Sequence, residues 1–200
     1  MHLHRRSLLI ALFVACTATS ARAQITVTPV LGVNLAGDAE FRRGGGGLSV
    51  GYLGERLGFE LEAQRHIHFF KDRNIDIISN NCGVAPQGSP CIDLNTRAWS
   101  YMGNLVVPIR GSFATWRPYG MVGAGVIHPW IEGPGDQYDV AQTDLAFDVG
   151  AGITRALATH VGFRSDLRYV RGFADDASPA YGRDYGFVRF DIGVTFAFKH

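Results

Sequence analysis

The amino-acid sequence predicts an all-β chain: a single eight-stranded antiparallel up-and-down transmembrane β-barrel. Three observations predict it. Eight segments alternate apolar residues with polar or small ones over the ~9 to 11 residues that cross a bilayer when tilted. The connections between those segments alternate between short and long. No stretch beyond the N-terminal region approaches the ~18 consecutive apolar residues of a membrane helix.

The first element is not a strand. His2, Leu3, His4, Arg5 and Arg6 form a short basic stretch, an apolar run follows, and Ala21, Arg22 and Ala23 close it. That order is the layout of a cleaved secretory signal. Residues 1–23 are therefore expected to be removed, and 24–200 to form the barrel domain. The signal takes three arginines with it, leaving 16 Lys+Arg against 18 Asp+Glu, a formal charge of −2. A balance so near neutral argues against a nucleic-acid partner, which calls for a basic surface. Cys82 and Cys91 then remain as an even pair in an exported chain, within "NNCGVAPQGSPC". They are expected to form a disulfide.

Segment 25–35 sets Val27, Leu31, Val33 and Leu35 against Thr26, Thr28, Gly32 and Asn34. Segment 46–53 sets Leu48, Val50 and Tyr52 against Gly47, Ser49 and Gly51. In 57–69, Leu57, Phe59, Leu61, Ala63, Ile67 and Phe69 oppose Glu60, Glu62, Gln64, His66 and His68. Segment 97–107 carries Trp99, Tyr101, Leu105 and Val107 against Ser100 and Asn104, and 118–128 is too glycine-rich for its faces to be assigned. In 143–154, Leu145, Phe147, Val149, Ala151 and Ile153 oppose Asp144, Asp148, Gly150 and Gly152. Segment 160–173 sets Val161, Phe163, Leu167, Tyr169 and Phe173 against Arg164, Asp166 and Arg168. The last, 187–198, sets Val188, Phe190, Ile192, Val194, Phe196 and Phe198 against Arg189 and Asp191. Successive side chains on a strand point to opposite faces, so every clear segment has one greasy and one polar side.

A soluble sandwich would bury the greasy side, whereas a membrane barrel turns it outward to lipid and the charges inward. Connection lengths decide between them. Residues 54–56, 156–159 and the somewhat longer 108–117 make short links; 36–45, 70–96, 129–142 and 174–185 make long polar ones. Short turns on one rim and long loops on the other are the pattern of an outer-membrane barrel. Tyr52, Trp99, Tyr101, Trp116, Tyr119, Trp130, Phe173 and Phe187 gather near segment ends, where interfacial girdles lie.

The whole chain after residue 23 resembles the small eight-stranded outer-membrane barrels of the OmpA, OmpX and OmpW type. "RPYGMVGAGV" is similar to their Pro-Tyr-x-x-x-Gly-x-Gly strand, and "FDVGAGITRALATHVGFRSDLRYV" to their Gly-x-Gly hairpin ending in a charged strand. The resemblance implies short periplasmic turns, long extracellular loops and the outer membrane of a Gram-negative bacterium. It also implies contact with outer-membrane lipid and lipopolysaccharide, and insertion by the barrel assembly machinery, which reads a final aromatic residue. Here Phe198 is followed by Lys199 and His200. A monomer is expected.

Eight strands leave an interior just wide enough for side chains to fill. The inward set Glu60, Glu62, His66, Asp144, Asp148, Arg164, Asp166, Arg168, Arg189 and Asp191 is therefore expected to pair into a charge network that plugs the lumen, since unpaired buried charge is costly. His66 and His68 stand at a spacing from which both can reach one metal. Polar lumen residues need no metal to explain them, and no metal or cofactor is expected. Ser165 lies on the outward side between inward Arg164 and Asp166, and no His-x-Ser pair occurs, so no enzyme is expected. "GGGG" at 44–47 lies between a loop and a strand, not ahead of a helix as phosphate binding requires. The reading is thus a structural or surface-interaction barrel, acting in adhesion or envelope integrity, whose long loops meet a surface ligand. The alternatives are a narrow channel or small-solute transporter and, behind it, a lipid-modifying enzyme.

Overall fold

The computed structural model describes residues 24–39, 42–54, 56–69, 95–109, 115–132, 140–174 and 184–199. Its strands are β1 (Gln24–Gly37), β2 (Gly44–Leu53), β3 (Gly58–Ile67), β4 (Asn95–Pro108), β5 (Trp116–Glu132), β6 (Val140–Ala141), β7 (Asp144–Ala156), β8 (Val161–Phe173) and β9 (Tyr185–Lys199). Every neighbouring pair is antiparallel, and the first strand closes on the last, from Gln24 opposite Lys199 to Gly37 opposite Phe187. Closure makes an eight-stranded barrel. The two-residue β6 stands apart from the ring and pairs only with Trp130 and Ile131 of β5.

Closure follows from the solvent. In hydrocarbon every backbone N–H and C=O must find a partner within the protein, so a sheet there can have no edge. Residues 54–57, 109–115 and 157–160 connect strands at the end where Gln24 and Lys199 meet; the opposite end carries the three longest connections, β3 to β4, β5 to β7 and β8 to β9, together with the six-residue link 38–43. β1 carries one irregularity against β9, a shift between Asn34 and Ala36, which places Leu35 as an extra residue in the ladder.

The outer surface is apolar. Leu31, Leu61, Phe147, Val149, Leu167, Ile192 and Phe196 are exposed, whereas Thr28, Glu62, Asp148, Asp166, Arg168 and Arg189 on the alternate positions are buried. This inverts a soluble fold and suits a surface solvated by lipid. In β9 the alternation runs from buried Arg189 and Asp191 to exposed Phe190, Ile192 and Phe198.

Three expectations change. Segment 57–69 was expected to hold its alternation to the end, but β3 stops at Ile67, and His68 adopts φ 50°, which breaks the period. Phe69 therefore turns inward and is fully buried instead of facing lipid. Tyr119 and Phe187, expected in the aromatic girdles, are buried in the lumen, because each shares the inward parity of its strand. β5 runs from Trp116 to Glu132, longer than the expected 118–128, with Tyr119, Met121 and Ile127 inward. The signal at 1–23 and the Cys82–Cys91 pair lie outside the described residues.

Phe190→Arg and Val149→Arg, at the mid-height of β9 and β7, should each destabilise the barrel by roughly 2 to 4 kcal/mol. Urea unfolding in lipid vesicles measures this; little loss at both sites would mean that the belt does not face hydrocarbon.

Candidate functional site: the charged lumen

Alternation on β3, β7, β8 and β9 delivers the inward side chains to one volume. All ten expected lumen residues are buried: Glu60, Glu62, His66, Asp144, Asp148, Arg164, Asp166, Arg168, Arg189 and Asp191. Eight of them form one ionic cluster. Arg164 grips Glu60 with both terminal nitrogens, Nη2 to Oε1 at 3.1 Å, and donates through Nε to Asp166 Oδ2 at 2.8 Å. Arg168 Nη2 lies 2.9 Å from Glu62 Oε2 and 3.3 Å from Asp166 Oδ2, and its Nη1 lies 3.4 Å from Asp148 Oδ2. Arg189 donates to Glu62 Oε1 at 2.6 Å and to Asp191 Oδ2 at 2.7 Å.

The other two stand outside the cluster, toward the long-loop end. Asp144 accepts from the Tyr185 hydroxyl at 3.0 Å and from the Gln142 amide. His66 meets Ser100, Nε2 to Oγ at 3.1 Å, and packs against Phe69 and Phe187 with ring centroids 5.3 and 6.1 Å away. His68 does not join it on the inward face, since the strand ends before it. Among the described residues no group of three or more His, Cys, Asp or Glu is placed to hold a metal.

The lumen is layered. At the long-loop end Phe69, Tyr185, Phe187 and His66 form an aromatic cluster, Phe69 meeting Phe187 edge-on at 5.1 Å. The ionic cluster lies in the middle. Toward the short-turn end Val106, Tyr119 and Met121 pack together with Leu53 beside them. Gln64 donates to Asp191 Oδ1 at 3.1 Å. With its amide nitrogen turned toward Asp148, Asn104 donates to Oδ1 at 3.1 Å and accepts from Arg168 at 3.2 Å. Gln64, Asn104, Tyr119 and Phe187 belong to the site although charge alone did not mark them; strand parity is the signal that does.

Glycines make the room. Gly32 stands in register with Asp191, Gly51 with Glu60, Gly123 with Asp148, Gly150 with Arg168 and Gly152 with Asp166. A methyl group added at Gly32, Gly123 or Gly152 would overlap the carboxylate of its partner. At these positions one neighbouring strand presents no side chain, so the carboxylate or guanidinium lies over bare backbone.

A closed ring of eight antiparallel strands, apolar outside and ionic within, defines a small transmembrane barrel of the outer-membrane kind. The family model described as outer membrane protein beta-barrel domain matches residues 7–198, and the chain belongs to that family. Its place is the outer membrane of a Gram-negative bacterium. Among solved structures it is similar to Neisserial surface protein A, at 15% identity and TM-score 0.58, covering 88% of this chain and 96% of that one. A major outer membrane protein from Thermus thermophilus matches at 13% identity and TM-score 0.56, covering 88% and 99%. Outer membrane protein H (OprH) from P. aeruginosa matches at 15% identity and TM-score 0.54, covering 89% and 100%. At such identities the likeness is one of fold. No curated protein matches the sequence.

Arg168→Leu leaves the carboxylates around it without their shared cation and should destabilise the barrel by about 3 to 5 kcal/mol. Arg56→Leu, at an exposed turn position, should leave the unfolding midpoint where it was. Gly152→Ala, which forces Asp166 to move, should cost about 1 to 3 kcal/mol as an overpacking change. Equal midpoints for all three variants in the same detergent would overturn the inward assignment.

Proposed function

We propose that this protein is a plugged outer-membrane scaffold, with a structural or surface-interaction role in adhesion or envelope integrity. The observation that carries this is the buried ionic cluster, held between an aromatic layer and an apolar one. A lumen filled by its own side chains leaves the long connections at the far rim as the part able to meet a partner, and binding function concentrates in loops carried on rigid scaffolds. Residues 1–23 act as the secretory signal, and the barrel assembly machinery inserts the mature chain as a monomer. Cys82 and Cys91 bridge within the longest connection, between β3 and β4.

A catalytic role has less support. Of two histidine–hydroxyl contacts among the described residues, His66 with Ser100 is buried beneath the aromatic layer. The other, His128 Nδ1 with Thr143 Oγ1 at 2.8 Å, is exposed, and no carboxylate among the described residues accepts a hydrogen bond from that histidine. One observation favours the narrow-channel reading. Gln64 Oε1, Tyr119 Oη and Asp166 Oδ1 are buried without a hydrogen-bond partner among the described residues, and such atoms are where lumen water would bind.

Planar-bilayer recording of the purified mature protein separates the two. A plugged barrel gives no discrete openings; reproducible unitary steps would establish the channel and end the plugged reading. Mass spectrometry of non-reduced peptides should recover Cys82 joined to Cys91, and two free thiols would remove the bridge.

A further inference from the structure

The outward face of β2 and β3 carries a feature that neither the lumen nor the apolar belt explains. Arg65 is exposed on β3 among otherwise apolar outward positions, Phe59, Leu61, Ala63 and Ile67, with Leu57 just before the strand. It has no hydrogen bond, ion pair or aromatic contact among the described residues, and no carboxylate occupies the outward positions beside it on β2, β3 or β4. The contrast with β8 is direct. There Arg171, outward at the same end of the barrel, pairs with Asp184 at 3.1 Å and lies over the Phe173 ring at 5.5 Å.

On one side of Arg65 the wall is bare. Gly46 of β2 stands in register with it, and Gly44, two residues along, shares the outward parity. A Cβ at Gly46 would meet only Leu31 Cδ2 at 3.4 Å and Val30 O at 3.6 Å, and one at Gly44 only Gly32 O at 3.4 Å. The two glycines leave a groove between β1 and β3, floored by backbone. On the other side Trp99 of β4 stands in register with Arg65 and stacks on Tyr101, centroids 6.1 Å apart and planes 11° from parallel. Arg97 follows diagonally, in register with Ile67.

Height fixes the chemistry. Eight residue steps separate Leu57, at the short-turn end, from Arg65, and a tilted strand climbs about 20 Å over that length. The apolar band of such barrels is about 25 Å tall. Arg65 therefore sits at the outer boundary of the hydrocarbon, level with the head groups of the outer leaflet, where its long side chain reaches a phosphate. In a Gram-negative outer membrane those head groups are phosphorylated sugars. A guanidinium meets phosphate with two parallel N–H···O bonds.

We propose that Arg65, with the groove left by Gly44 and Gly46, binds a phosphate of an outer-leaflet glycolipid, and that one acyl chain of that lipid lies in the groove against Leu31. This fixes where on the wall the barrel makes its lipopolysaccharide contact. It rests on the barrel lying in the outer membrane and is independent of whether the lumen conducts. The run of four glycines, 44–47, then has two uses by parity. Gly44 and Gly46 open the groove outside, and Gly47 inside makes room for Gln64, its partner in register.

The test uses the full barrel folded in dodecyl maltoside micelles and titrated with diphosphorylated lipid A, with dephosphorylated lipid A and with phosphatidylglycerol, bound fractions being read by native mass spectrometry. The mobility of unheated samples on gels establishes that each variant is folded. Arg65→Gln should weaken binding of diphosphorylated lipid A about tenfold, the size of a lost charge-assisted contact. Gly46→Leu, which fills the groove without altering charge, should weaken it as well, and Arg171→Gln should not. Dephosphorylated lipid A should bind the natural chain no better than the diphosphorylated form binds Arg65→Gln. Equal binding by the natural chain and a folded Arg65→Gln variant would overturn the site. Phosphatidylglycerol binding as tightly as diphosphorylated lipid A, with the same dependence on Arg65, would overturn its assignment to a glycolipid.

Discussion

The structure depends on ion pairs that cross the lumen. In the ring of eight, β8 lies opposite β3, and Arg164 and Arg168 of β8 reach Glu60 and Glu62 of β3 across it. Arg189 of β9 reaches Glu62 as well. Neighbouring strands could not make these pairs, because in their register like charges face each other: Asp166 stands opposite Asp191, and Arg168 opposite Arg189. Like charges directly opposite on a strand pair repel. The β8–β9 ladder is relieved by opposite charges along each strand, by Asp148 of β7 and by the glutamates of the far wall. The network thus acts as a set of struts, and it exists only when the sheet has closed.

Closure and filling constrain each other. Eight strands fix a narrow interior, and the long arginines spanning it leave little volume for side chains from the strands beside them. The glycines in register with Asp191, Asp148, Arg168 and Asp166 are the sequence's answer to that geometry. The high glycine content of 25 residues therefore has a structural use beyond turns. Much of it lies within strands, where glycine would otherwise weaken packing.

Most of the fold was legible because a barrel wall has a period of two and a solvent on each side. Wherever charge alternated with grease, as in 143–154, 160–173 and 187–198, parity alone placed Asp148, Arg168 and Arg189 inside. Legibility failed where the period broke or the chemistry was ambiguous. Nothing in "RHIHFF" announces that His68 takes a left-handed backbone and turns Phe69 into the lumen. Tyr119 and Phe187 were misplaced because an aromatic residue near a strand end suits a girdle as well as a plug, and only their parity with Met121 and Arg189 separates the two. The pairings themselves were beyond reach. Which glutamate meets which arginine is set by the closure of β1 on β9, a contact between residues at opposite ends of the chain.

The buried charges are better understood as specifying the barrel than as strengthening it. A buried ion pair can be replaced by well-packed apolar groups at little loss, so its presence is weak evidence for stability. Its effect on alternatives is larger. Sliding β8 by one residue against its neighbours would turn Arg164, Asp166 and Arg168 toward lipid and bring Phe163, Leu167 and Tyr169 into the lumen, since a slip of one reverses every face. A slip of two would keep the faces but leave one of the two long charges without its glycine: in one direction Arg168 comes opposite Asp148, in the other Asp166 comes opposite Thr154. An apolar lumen would resist the first error and tolerate the second. The pairing of long charges with absent side chains resists both, and so fixes the stagger of the strands from inside a barrel whose outer face, solvated by lipid alone, has no means of doing so.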